Sequence, residues 1–133
     1  NFDRMPDGIP IREIKQSADV PFFAPSDIVI DALFGSGLTR PVSGLAATVI
    51  EAVNRADTIV SVDISSGLFM DAPNAIHDPI IKATHTISFQ LPKLAFLLPQ
   101  NAAFVGEWHL VDIGLHPNAI EQASTRWFYT DTA

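Results

Sequence analysis

The stretch "SDIVIDALFGSGLTRP", residues 26–41, decides how the rest of the chain is read. Its first nine residues carry β-branched and other apolar side chains on both faces, which predicts a central strand of a parallel sheet over 26–34. Gly35 and Gly37 then break the run. Beyond them, Val42, Leu45, Ala46, Val49, Ile50 and Val53 fall at i, i+3, i+4, i+7, i+8 and i+11, one apolar stripe at helical period. Pro41 suits the first helical position, and Asn54 and Arg55 close the helix. "DTIVSVDI", residues 57–64, predicts a second strand. Strand, loop, helix and strand over 27–64 make one βαβ unit. A right-handed crossover makes its strands parallel, with both carboxyl ends on one edge. Ligands of open α/β sheets bind along that edge, so Asp31 and Asp63 are expected to share one crevice.

The flanking sequence is less regular. Residues 1–25 hold Pro6, Pro10, Pro21 and Pro25 and read as a connecting segment with at most one short strand. Residues 65–83, with Gly67, Pro73 and Pro79, read as an irregular excursion. "ATHTISFQ" (83–90) predicts a third strand, stopped by Pro92. "KLAFLLP" (93–99) fits one helical turn or a short strand. "GEWHLVDIG" (106–114) predicts a fourth strand, Pro117 to Glu121 a short helix, and "RWFYT" (126–130) a final edge strand.

Composition excludes several classes of function. The chain has 133 residues, a net charge of −7 and only eight Lys and Arg, with no basic cluster to neutralise a phosphate backbone or an anionic membrane surface. Nucleic acid and membrane are therefore not expected partners. No apolar run approaches the roughly 18 residues of a membrane span. The absence of cysteine rules out disulfides and thiolate zinc sites and fits a cytoplasmic setting. His77, His85, His109 and His116 lack a ligand spacing such as H-x-x-x-H, so no histidine metal site is expected. The opening at Asn1, without methionine, suggests a piece of a longer protein.

The chemistry-bearing residues gather at the predicted strand ends. Gly35-Ser36-Gly37, at a strand's carboxyl end and before a helix, has the makings of an anion cradle, with Thr39 and Arg40 adding a hydroxyl and a charge. It lacks the third glycine of the dinucleotide fingerprint and the lysine of a P-loop, so a purely steric turn stands equally on these residues. Asp31 lies among apolar neighbours, where an unpaired carboxylate is costly, and this favours a functional role. Asp63 leads "DISSG", from which an acid can hydrogen-bond ribose hydroxyls or orient a reacting group. Ser65 and Ser66 lack a nucleophile elbow and fit ligation better than attack.

Four motifs in order, "DIVIDALFGSGLTRP", "VSVDISSGL", "FQLPK" and "GEWHLVDIG", resemble the YjeF N-terminal domain, the NAD(P)HX epimerase family, over roughly residues 26–116. The resemblance implies a Rossmann-like three-layer α/β/α fold with a mostly parallel sheet, here incomplete, the chain being the C-terminal portion of the domain. It implies epimerisation of the R and S hydrates of NADH and NADPH (NADHX and NADPHX) at C6 of the nicotinamide ring, a site potassium ion (K+), a homodimer, and an ADP- or ATP-dependent dehydratase that is fused in many bacteria. By motif position, Asp31 corresponds to the potassium-ligating aspartate, also a candidate for acid–base chemistry, and Ser66 to a second potassium ligand. Gly35, Ser36, Gly37, Leu38, Thr39, Arg40 and Pro41 correspond to the loop around the substrate phosphates, and Asp63 to a substrate-contacting, catalytic aspartate. An oxygen-only ligand set suits a hard cation. Lys93 matches the lysine of the family's "PK" motif without an assigned role.

Two departures bear on these expectations. Ser65 stands where the family usually has proline, which predicts a looser turn. The family's upstream N-N-G-G-D loop, which supplies a further potassium ligand and much of the nucleotide site, has no counterpart in the 133 residues. The chain alone is accordingly expected to be inactive or severely weakened. The alternative reading is a non-catalytic YjeF-like interaction module.

Overall fold

A computed structural model describes residues 6 and 8–130. Four strands form one sheet in sequential order: β1 (Ile28–Asp31), β2 (Thr58–Val62), β3 (His85–Phe89) and β4 (Glu107–Val111). All three pairings are parallel, with Asp31 opposite Ser61 and His85 opposite Glu107. Helix α1 (Gly44–Val53) forms the first crossover. Between β3 and β4 the chain makes two short 3-10 turns and the single-turn helix α2 (Ala102–Val105). Helix α3 (Pro117–Glu121) follows β4. The architecture is a Rossmann-like α/β sheet.

The expected helical period is present, but α1 starts later than Pro41. Gly44 takes a φ of 61°, in the left-handed region, so a right-handed helix cannot run back through it. Pro41 and Val42 stay in the loop, although Val42 is still buried against α1 and β2. Asn54 ends the helix as expected. Its side chain donates to the Ile80 carbonyl at 2.9 Å and accepts from the Lys82 N–H at 2.8 Å, stitching α1 to the excursion that leads into β3.

Alternation along the strands sends Val29, Ile59, Ser61, Thr86 and Ser88 to one face. There Ile50, Val53, Ile59 and Ile81 close the first part of the core, and Ile64, Leu68, Ile80, Phe96 and Val105 close the second. On the opposite face Ile28, Ile30 and Val111 are exposed. The helical layer expected on that side is absent from the described residues.

The end of the first strand and residues 126–130 differ from the sequence reading. The first strand ends at Asp31, so that carboxylate sits at the strand's carboxyl end rather than within it. Residues 94–97 form a 3-10 turn, the helical form of the two expected for 93–99. "RWFYT" (126–130), read from the sequence as an edge strand, pairs with no strand among the described residues. Its aromatic residues have strand propensity without a neighbouring strand to complete the ladder. Residues 1–5 and 7 of the connecting segment lie outside the described residues, and the remainder of 6–25 contains one 3-10 turn, Ser17–Asp19. No helix among the described residues is long and apolar enough to cross a membrane.

Candidate functional site

The carboxyl ends of β1 and β2 bring both aspartates to one edge. Asp31, only 3 % exposed, is the last residue of β1. Its Oδ2 accepts from the Ser61 hydroxyl at 2.7 Å and from the Ser66 N–H at 2.9 Å. Its Oδ1 accepts from the Ser66 hydroxyl at 2.6 Å and from the Leu33 N–H at 3.3 Å. Four donors thus converge on one buried carboxylate, which offsets its desolvation without a salt bridge.

The Ser66 Oγ also accepts from the Phe34 N–H at 2.9 Å and lies 3.3 Å from the Phe34 carbonyl oxygen. A hydroxyl has one proton, and the shorter contact to Asp31 takes it. Asp31 Oδ1, Ser66 Oγ and the Phe34 oxygen therefore gather side by side, the Ser66 and Phe34 oxygens each with a lone pair to spare beside the carboxylate charge. That oxygen-only set has the donor chemistry a potassium ion requires.

Asp63 follows β2 with a φ of 72°, which is rare for a residue other than glycine. The Asp63 N–H donates to the Ile87 carbonyl at 2.7 Å, and this bond holds the turn. The bend aims the carboxylate at two partners. Oδ2 accepts from the Ser36 N–H at 3.0 Å, and Oδ1 takes the Lys93 ammonium at 2.6 Å. Lys93 also donates to the Ser88 Oγ at 2.5 Å and lies 5.9 Å and 6.0 Å from the ring centroids of Phe89 and Phe96. Burial pushes the Asp63 carboxyl up. The Lys93 hydrogen bond, the Ser36 N–H and the lysine charge outweigh that and hold it below the usual carboxylate range.

The two aspartates thus share one loop, because the N–H groups of Leu33 and Phe34 serve Asp31 and Ser66 while that of Ser36 serves Asp63. A Cβ on Gly35 would stand 3.2 Å from Asp63 Oδ2, so the glycine makes room for the carboxylate. The N–H groups of Gly35, Gly37, Leu38 and Thr39 meet no acceptor among the described residues. Ser36, Gly37, Leu38 and Thr39 line a cavity of about 360 Å³, closed on the other side by Phe69, Met70, Asp71 and Ala72. Arg40 and Pro41 lie outside this lining. Free backbone donors in a loop that lines a cavity are the raw material of an anion cradle. The dipole of α1 does not add to it, since that helix begins at Gly44 and its field fades within the first turn. A larger cavity of about 840 Å³ adjoins through Met70 and Asp71 and is lined by Phe89, Lys93, Leu97 and Trp127 among others.

Sequence reasoning left Lys93 without a role, and the structure makes it the counter-ion of Asp63. The signal was its position just past a strand's carboxyl end. Ser65 also differs from expectation. Its hydroxyl donates to the Phe104 carbonyl at 2.6 Å, so the serine ties the turn to α2 instead of loosening it. Ser65→Ala is expected to lower the unfolding free energy by about 1 kcal/mol, read from the urea midpoint, the size of one lost hydrogen bond, since the Phe104 carbonyl keeps the Ala83 N–H.

The sequence model of the YjeF-related protein N-terminus family matches residues 6–95. The chain is 39% identical over 99 residues to the bifunctional NAD(P)H-hydrate repair enzyme Nnr of Thermofilum pendens, covering 74% of this chain and 18% of that protein. It is 32% identical over 118 residues to the NAD(P)H-hydrate epimerase of Rhodopirellula baltica, covering 88% and 48%. It is 36% identical over 101 residues to the NAD(P)H-hydrate epimerase of Limosilactobacillus fermentum, covering 75% and 48%. The chain thus spans about half the length of the epimerases it matches and under a fifth of the bifunctional enzyme.

Proposed function

The chain belongs to the YjeF-related N-terminal family, and from that membership we propose that its two-aspartate edge belongs to an enzyme that interconverts the R and S forms of hydrated NADH and NADPH. The observation that carries the reading is the pair of carboxylates at adjacent strand ends, tied by one loop whose residues Ser36 to Thr39 line a cavity. The relatives named NAD(P)H-hydrate epimerase support the substrate class.

Gly35 to Thr39 cradle substrate phosphates, with the N–H groups of Gly35, Gly37, Leu38 and Thr39 free to donate and with Arg40 and Pro41 completing the loop. The larger cavity beside Lys93, of about 840 Å³, takes a ring of the dinucleotide. Asp63 is the proton-handling group. It remains a carboxylate at neutral pH, it is part-exposed beside the cavity, and Lys93 and Ser36 fix its orientation. Asp31 accepts from four donors and acts as an anchor, holding Ser66 and the loop in place. Asp31, Ser66 and the Phe34 carbonyl would hold a potassium ion. Such an ion supplies positive charge next to the substrate. Relatives named as bifunctional repair enzymes support an attached dehydratase, and we extend the reading to a homodimer in the cytoplasm.

The experiment is chromatographic measurement of R-to-S exchange of NADHX and NADPHX by the full-length protein, in potassium and then in sodium buffer. Exchange well above the uncatalysed rate, weakened in sodium, is the expected outcome. Exchange no faster than in buffer alone sinks the proposal and leaves the interaction-module reading.

A further inference from the structure

The amino-terminal ends of β3 and β4 carry a second cluster, on the exposed sheet face and at the end opposite to Asp31 and Asp63. His85 opens β3 directly opposite Glu107, and His109 lies two residues further along β4. Strand alternation puts all three side chains on one face, and the parallel ladder sets their spacing. His109 Nε2 is 3.5 Å from His85 Nδ1. The Glu107 carboxylate lies 3.8 Å from each of these nitrogens. The imidazoles stack with centroids 5.7 Å apart and 29° between planes.

Hydrogen bonding does not explain these distances. The nitrogen–nitrogen contact is at the limit of a hydrogen bond and both carboxylate contacts lie beyond it. They match a different geometry. Ligands about 2.1 Å from a tetrahedral zinc ion stand about 3.4 Å from one another. Two imidazole nitrogens and one carboxylate oxygen are a known donor set for zinc with an open fourth position. The three side chains are 45%, 70% and 48% exposed, so solvent can fill that position and the ion can enter.

We propose that His85, Glu107 and His109 form a binding site for a divalent transition-metal ion, best matched to zinc. It is separate from the Asp31–Ser66 oxygen cluster in position and in chemistry, since borderline-soft imidazole nitrogens favour transition metals over potassium. Motif spacing along the chain could not show it, because the histidines meet across strands 24 residues apart.

The test is calorimetric titration of the protein with Zn2+, with Co2+ in parallel for its tetrahedral visible absorption. One equivalent is expected to bind with micromolar or tighter affinity. Loss of a supporting outer-shell partner costs a metal site about 10–100-fold, so His109→Ala is expected to weaken binding by at least as much. The double variant H85A/H109A is expected to abolish it, and His77→Ala to leave it unchanged. These side chains are exposed, so the fold is expected to persist, as circular dichroism will show. No binding by the parent protein, or unchanged stoichiometry and affinity in H85A/H109A, overturns the proposal.

Discussion

Asp31→Ala is expected to lower the unfolding free energy by about 3 kcal/mol and to abolish epimerase activity of the full-length protein. The substitution removes the acceptor shared by Ser61, Ser66 and Leu33. Each buried donor left without a partner costs about 1–3 kcal/mol, and the costs are not additive because freed hydroxyls re-aim. The Ser66 N–H cannot re-aim. Asp31→Asn is expected to fare little better, because its amide nitrogen brings hydrogens against donors that already point inward. Urea unfolding followed by circular dichroism reads the stability. A loss under about 0.5 kcal/mol, the size of an ordinary surface substitution, would contradict the role given to Asp31.

Lys93→Met is expected to cost about 2 kcal/mol at neutral pH, the scale of a lost charge-assisted hydrogen bond. It is also expected to flatten the acid dependence of stability that Asp63 contributes. In the parent chain the Asp63 carboxyl is held below its unfolded value of about 3.9. Its contribution is therefore present above that value and is lost as pH falls through the lower, folded one. Without Lys93, the burial that pushes the carboxyl up is opposed by Ser36 alone. The folded value then rises toward or past the unfolded one, so the stability that Asp63 contributes above its unfolded value shrinks and the loss on acidification flattens. Urea midpoints measured from about pH 3 to pH 7 distinguish the two slopes. Parallel slopes in both proteins would mean that the ion pair does not set the state of Asp63.

The βαβ unit, the parallel sheet and the meeting of Asp31 with Asp63 at one edge were legible because they follow from apolar periodicity and crossover geometry. The start of α1 was not. The stripe from Val42 satisfies the helical period, but the left-handed turn at Gly44 interrupts the path, and periodicity carries no dihedral information. Residues 126–130 have the composition of a strand, yet a strand also needs a partner, which a propensity does not supply. Lys93 reaches Asp63 from 30 residues away, and Ser65 reaches Phe104 from 39. Neither contact leaves a trace in local spacing. The fold was thus readable where short-range rules determine it, and the site where the strand ends collect it. The polar contacts that tune the site came only from three-dimensional placement.

The most direct measurement is R-to-S exchange of NADPHX by full-length Asp63→Asn protein. Asparagine keeps one acceptor oxygen, for Lys93 or for the Ser36 N–H but not for both, so the thermal midpoint is expected to fall by several degrees while the protein stays folded at assay temperature. Exchange is expected to fall by about 10²–10⁴-fold, the usual contribution of a positioned acid–base group. A parent-like rate in a folded Asp63→Asn protein would contradict the assignment of this edge as the epimerisation site.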